Sequence, residues 1–369
     1  MSHRKSSSKS NKNPFLIENI LFYALIAMVV LIMVMILLAI FYKRDSYKLE
    51  DYLGRDGFFI EQSGNEEPQE KSTDKVRIGL TDKDSSKEES SNFMDIYASL
   101  SDSDKKKVNV NFDFTELNSN IYGVYDVSLG KFLLANNADE KVAPASLTKI
   151  MTTFLAIEKV SDINKTVDMD QSIFDWIFGK DLSVVGFEKG EKVRLLDLLY
   201  GAMLPSGADA CLGIARMVSG DQDKFVKEMN QRAAELGMTN TSFKNCVGND
   251  DEGHYSTVRD LVKLFEIAMR NKVFELVAST ESYTLKPNSV RKEAINLFSN
   301  TFENIYKSYG IPNGVEVIGG KTGYTENARL CLIVEVTKRD QKYIICVLNA
   351  GNTDGAARDC MTLADKFLA

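Results

Sequence analysis

Ala143-Pro144-Ala145-Ser146-Leu147-Thr148-Lys149 leads into a segment where Leu147, Ile150, Met151, Phe154 and Leu155 fall at i, i+3, i+4, i+7 and i+8. That spacing predicts an amphipathic helix. Ala156, Ile157 and Val160 extend the apolar surface nearly all round, so the helix is expected to be buried. Its opening carries Ser146 and Lys149. Residues three apart share a helix face, which puts the amine within reach of the hydroxyl. A helix N-terminus carries partial positive charge and disfavours an ammonium ion beside it, and burial acts in the same direction. A lysine held neutral can accept a serine's proton.

Outward from this helix the pattern changes period. Upstream, Ile121–Val127 and Lys131–Ala135 flank Ser128-Leu129-Gly130, a strand–turn–strand signal. Downstream, residues 194–204 and 210–218 read as two helices around a Pro205-Ser206-Gly207 break. Thr257 with Asp260 resembles a capping box for a helix over 258–269. Residues 329–337 and 342–349 alternate as a hairpin, and a helix over about 354–368 follows. Strands at both ends with helices between predict an α+β fold, an antiparallel sheet flanked by helices with a helical lobe.

The chain has 369 residues and a net charge of −7, which argues against nucleic acid as a partner. Its two histidines are His3, in a polar tail, and His254. A zinc peptidase normally needs at least two imidazoles and a Ser-His-Asp hydrolase needs one beside its serine, so no metal site is expected and a histidine triad is disfavoured. The five cysteines lack C-x-x-C spacing and read as buried apolar residues.

Residues 20–42 form an uncharged run of 23, roughly 34 Å as a helix, long enough to cross a bilayer. No small-residue cleavage site follows, so the run reads as an uncleaved transmembrane signal anchor after a cytoplasmic tail, residues 1–19. Lysine and arginine tie at four on each side, and the N-terminus is placed inside because the chemistry described below belongs outside. From 43 to 111, 28 of 69 residues are charged, so this stretch is expected to be a flexible tether. Within it, Phe58-Phe59-Ile60 and residues 93–100 are apolar enough to dock on something. The folded domain is expected over 112–369.

Ser-x-x-Lys occurs seven times and only Ser146 opens a buried helix. Gly319-Gly320-Lys321-Thr322-Gly323-Tyr324 contains the chain's one Lys-Thr-Gly. A strand presenting Lys321 and Thr322 offers a charge and a hydroxyl to a carboxylate, and Gly323 lets another backbone approach. Pro205-Ser206-Gly207-Ala208-Asp209 adds a serine for a proton relay near Lys149.

In that chain order the three elements resemble the motifs of the penicillin-binding proteins and class A β-lactamases. The chain is similar to the low-molecular-mass branch, the D-alanyl-D-alanine carboxypeptidases, over roughly 112–369. Residues 145–152 and 253–257 also look like that family's longer signatures. The resemblance implies a β-lactamase/transpeptidase-like fold and a serine-type carboxypeptidase that trims the terminal D-alanine from peptidoglycan stem peptides through an acyl-enzyme. It makes Ser146 the nucleophile, Lys149 the general base and Ser206 part of the proton relay. Lys321 and Thr322 would hold the D-alanine carboxylate, with Gly323 between them and Tyr324. The backbone N–H groups of Ser146 and Tyr324 would form the oxyanion hole. No cofactor is implied, β-lactams would acylate the serine, and the domain would work outside the cell membrane. His254 is expected to be structural.

Two departures stand out. Ala208 occupies the place of the family's asparagine, and Asp209, the neighbouring acid, is expected to cap the following helix instead of replacing that amide. The family's common C-terminal β-domain and amphipathic anchor are also missing after Lys366-Phe367-Leu368-Ala369, so residues 20–42 are expected to anchor the chain to the membrane. Three alternative readings remain. A β-lactamase is disfavoured because no Glu-x-x-x-Asn lies between Ser206 and Lys321. Endopeptidase or transpeptidase action would use the same acyl-enzyme. A non-catalytic wall-binding protein has Ala208 as its only support.

Overall fold

The structure, a computed structural model, describes residues 93–351 and 354–369. The expected tail, span and most of the expected tether therefore lie outside the described residues. Among the described residues, no helix is long and apolar enough to cross a membrane.

Five antiparallel strands form the main sheet in the order β2-β1-β9-β8-β7. They are β1 (Ile121–Asp126), β2 (Lys131–Asn136), β7 (Val315–Thr325), β8 (Arg329–Lys338) and β9 (Gln341–Ala350). Two short pairs stand apart, β3 (Thr166–Asp168) with β4 (Lys192–Arg194) and β5 (Ser282–Leu285) with β6 (Ile295–Phe298). The β8 and β9 strands are nearly continuous apolar runs because both faces of the sheet are covered. Along β9, Ile344, Cys346 and Leu348 join the larger core while Tyr343, Ile345 and Val347 join a second one. Side chains alternate across a strand, so each run supplies two cores.

The larger core is the helical lobe. At its centre lies the buried helix expected from the sequence, α2 (Thr148–Lys159), with every residue from Thr148 to Ala156 buried. Around it pack α3 (Leu195–Met203), α4 (Ala208–Ser219), α5 (Gln222–Glu235) and α6 (Val258–Met269). The Thr257 side chain accepts from the Asp260 N–H and caps α6 as its sequence suggests. The closing helix α7 (Gly355–Thr362) widens into a looser turn over Leu363–Phe367.

The second core, on the opposite face, corrects the expected tether boundary. Residues 93–111 pack against the domain. Helix α1 (Phe93–Ser99) sets the Phe93 ring 5.3 Å from Phe114 and 5.5 Å from Phe367. Leu100 and Val108 are buried with Phe112, and Val108 bridges to Leu368 as an extra antiparallel pair. Charge density hid a helical pattern, because Phe93, Tyr97 and Leu100 fall at i, i+4 and i+7.

A chain starting at residue 93 is expected to fold with full stability. A chain starting at 112 loses two buried aliphatics and an aromatic contact, several kcal/mol in all. At about 2–4 °C per kcal/mol, its Tm is expected to fall by roughly 10 °C in differential scanning calorimetry. Equal melting temperatures would mean that residues 93–111 rest on the surface without supporting it.

Candidate active site

Ser146 sits in a 3-10 turn, Ala145–Leu147, that runs directly into α2. Ala145 takes a left-handed backbone, φ 47°, which an L-residue holds only under constraint. The neighbouring chain supplies it. Gly248 passes so close that a Cβ there would lie 1.9 Å from the Ala145 carbonyl oxygen. On the other side, a Cβ on Gly323 would fall 3.0 Å from Ser146 N. Only glycine permits the first approach, and a side chain at 323 would press on the Ser146 backbone. The second one brings the peptide that precedes Tyr324 alongside the Ser146 N–H.

Lys149 is buried, and its Nζ donates to Ser146 Oγ at 2.9 Å and to the Val247 carbonyl. Burial pushes the amine below its ordinary pKa, while Cys211, Cys246 and Asp209 oppose the shift. The Cys211 thiol is itself pushed up to about 11 by burial, so it stays neutral near pH 7 and offers the ammonium little support. Lys321 is also fully buried, and its Nζ donates to Ser206 Oγ at 3.1 Å and to the Thr322 carbonyl at 2.9 Å. Burial drives its pKa well down, and repulsion from Lys149 adds to that. Two amines share one dry site, which favours at most one charge between them.

These groups border a cleft of about 670 Å³. Ser146, Lys149, Ser206, Thr322, Gly323 and Tyr324 line it. Lys321 lies behind the wall, next to Thr322. The cleft runs along the free edge of β7, the outer strand of the sheet. The structure thus brings together every residue singled out from the sequence. One pairing differs: Ser206 faces Lys321, while Lys149 finds Ser146 and a backbone carbonyl. Ala208 is buried and supplies no polar group.

Other parts of the site left no mark in the sequence. Asn245 Oδ1 accepts from the backbone N–H groups of Val247, Gly248 and Asn249, and so shapes the loop that meets Ala145 and Lys149. Asp250 accepts from Thr325 Oγ1 at 2.7 Å and ties that loop to the end of β7. Asp209 corrects a further expectation. It accepts from one N–H of its own helix, Ala210, and from three on a distant loop, Val185, Gly186 and Phe187.

His254 holds the loop from beneath. Its Nδ1 accepts from the Lys244 N–H at 3.2 Å, which leaves Nε2 protonated to donate to Thr148 Oγ1 at 2.8 Å. Thr152 Oγ1 donates to the Cys246 carbonyl at 2.7 Å. Helix α2 therefore grips the 244–248 loop directly through Lys149 and Thr152, and through His254 by way of Thr148. All five cysteines are free and buried.

Residues 106–352 match the family model described as D-alanyl-D-alanine carboxypeptidase. The chain is 35% identical over 229 residues to the D-alanyl-D-alanine carboxypeptidase DacF of Bacillus subtilis, covering 60% of this chain and 54% of that protein. It is also 35% identical over 233 residues to DacC of Escherichia coli, covering 61% and 55%. The chain thus spans about half the length of these two relatives. Among solved structures, the Streptomyces K15 DD-transpeptidase superposes with a TM-score of 0.59 at 29% identity, over 66% of this chain and 93% of that one.

Burial pulls the His254 imidazole down to about 4. The unfolded chain binds that proton below about 6.5 and the folded chain only below about 4, so protons favour unfolding in between. The stability from neutral His254 is complete above about pH 6.5 and is lost as the pH falls toward 4, about 3 kcal/mol in all. Urea midpoints measured from pH 7 to pH 4 are expected to fall more steeply for wild type than for His254→Gln. Parallel curves would show that the imidazole carries a proton in the folded state.

Proposed function

The chain belongs to the D-alanyl-D-alanine carboxypeptidase family, and from that premise we propose that it removes the terminal D-alanine of peptidoglycan stem peptides through an acyl-enzyme on Ser146. The observation that carries this reading is the Lys149 amine, desolvated and 2.9 Å from Ser146 Oγ at the wall of a cleft.

Ser146 Oγ attacks the carbonyl of the D-Ala-D-Ala bond, and neutral Lys149 takes its proton. The developing oxyanion lies between the N–H groups of Ser146 and Tyr324, each worth about 3 kcal/mol. Breaking the C–N bond then requires a proton on the departing amine. Lys321 donates to Ser206 Oγ, which leaves the Ser206 O–H free to be that donor, and the proton held by Lys149 replaces it, so Lys149 is neutral again. Thr322 takes the D-alanine carboxylate, and the buried positive charge of Lys321 behind it adds attraction without direct contact. Water then enters, gives a proton to neutral Lys149 as it attacks the acyl carbonyl, and Lys149 returns that proton to Ser146 Oγ as the shortened peptide leaves. A β-lactam follows the first step only, because its amine stays tethered.

The same reading places the domain outside the cell. Residues 20–42 anchor it as a single membrane span with residues 1–19 in the cytoplasm, and the charged residues 43–92 act as a spacer. This rests on the uncharged 23-residue run and on the location of the substrate.

Incubation with a pentapeptide ending in D-Ala-D-Ala is expected to release D-alanine. Benzylpenicillin is expected to add once, on Ser146, by intact-mass spectrometry, and an adduct that survives Ser146→Ala would sink the assignment. Lys149→Ala is expected to slow acylation about 10²–10⁴-fold with the protein still folded. Normal acylation at pH 7 would give the proton to another group.

Lys321→Ala is expected to slow both peptides through the loss of its bond to Ser206 and, beyond that, to raise KM for the free pentapeptide but not for an amidated one. Equal losses on both would remove Lys321 from carboxylate recognition.

A further inference from the structure

Ser206 occupies the left-handed region, φ 66°, although it is not glycine. Such a backbone costs on the order of 1–2 kcal/mol and persists only where the surroundings impose it. Ser206 lies between α3 and α4, and the lobe's own helices hold that turn through few contacts. Gly207 N donates to the Gly201 carbonyl at 2.9 Å, and Asn300 N donates to the Leu204 carbonyl at 3.1 Å.

The remaining constraint comes from the 183–187 loop. Ala208 N donates to the Ser183 carbonyl at 2.8 Å. Val185 packs so tightly that its Cγ2 would lie 2.5 Å from a Cβ on Gly207 and 2.8 Å from one on Gly201. Asp209, in the first turn of α4, is buried and accepts from Val185 N at 2.8 Å, Gly186 N at 2.9 Å and Phe187 N at 3.2 Å.

We propose that Asp209 is a positioning residue: its buried carboxylate fastens the 183–187 loop across the turn that carries Ser206, and so holds the Ser206 hydroxyl against Lys321. This deepens the acyl-enzyme reading above and rests on it. Two simpler roles fit less well. As a helix cap, Asp209 would aim its oxygens at its own helix, yet three of its four acceptor contacts go to a segment 22–24 residues upstream. As a charge partner, it would favour the ammonium form of Lys149, which opposes a base. The clamp also explains how the turn keeps its shape with Ala208 in place of an asparagine. Backbone groups, not a side-chain amide, fix where Ser206 points.

The test measures the benzylpenicillin acylation rate of the purified protein, with the site of the adduct read by mass spectrometry. Asp209→Asn turns one acceptor oxygen into an amide NH2 that faces N–H donors. It is expected to slow acylation roughly 10- to 100-fold, the scale of a small misplacement of a reacting group, with the adduct still on Ser146. In a Ser206→Ala background the same change is expected to alter the rate less than about twofold, because the group it positions is gone. The midpoint of the pH–rate profile is expected to fall, because the Asp209 charge raises the Lys149 pKa, so the loss is read on the high-pH plateau where the base is neutral in both proteins.

Val185→Ala thins the contact from the loop's side and leaves the carboxylate intact. It is expected to slow acylation about threefold or more, and it decides the matter alone should Asp209→Asn fail to fold. Equal losses with and without Ser206, a shifted pH midpoint at full rate, or an unchanged Val185→Ala would each overturn the clamp. A wild-type protein that takes no adduct on Ser146 would overturn the acyl-enzyme reading instead, a result distinct from all of these.

Discussion

An ammonium ion loses several kcal/mol when it leaves water, and this structure takes two lysines out of water side by side. Neither Lys149 nor Lys321 has a carboxylate on its nitrogen. Each meets one hydroxyl and one backbone carbonyl. That arrangement is stable only if at least one of the two amines gives up its charge, and it survives only if the protein around them is too well packed to let water or the lysines move. The burial of α2 on every side, the glycines at 248 and 323, and the edge position of β7 all follow from that requirement. A looser lobe would let Lys149 swing out to solvent and regain its proton.

Packing explains what could be read from the sequence. The α2 helix was legible because burial on all sides leaves an apolar pattern with only Ser146, Lys149 and a few threonines interrupting it. Strands β8 and β9 were legible by length and composition, and α6 by the Thr257 cap. The buried α2 helix also picks one Ser-x-x-Lys out of seven, because only Ser146 opens it. Residues 93–111 were misread because their charge density exceeds that of most folded segments. Their few apolar side chains suffice because an open aromatic site around Phe114 and Phe367 receives them.

The illegible parts of the site share one physical feature: they are contacts to backbone. The Val247 carbonyl on Lys149, the N–H groups on Asn245 and those on Asp209 involve atoms that every residue carries. No residue type marks them. The same holds for the choice of Lys321 over Lys149 as partner for Ser206, which joins positions 115 residues apart and depends on how β7 lies against the lobe. Asp209 illustrates the limit. Sequence position suggests a helix cap, since an acid in the first turn is favourable there, and only the path of the 183–187 loop reveals where its oxygens go.

Ala208 sharpens this point. A side-chain amide between two lysines and a substrate is a local solution to a local need, and it can be lost in one substitution. A network of backbone bonds spread over the 183–187 and 245–250 loops is harder to lose, because each loop is fixed by a carboxylate or amide that serves several N–H groups at once. Asn245 and Asp209 each fix a loop that borders the cleft and work by the same device: one buried polar side chain gathers consecutive N–H groups and freezes a short loop against a catalytic-site turn. On this view the rigidity needed beside two desolvated amines comes from two such knots, and the side chain at 208 is free to be small and buried.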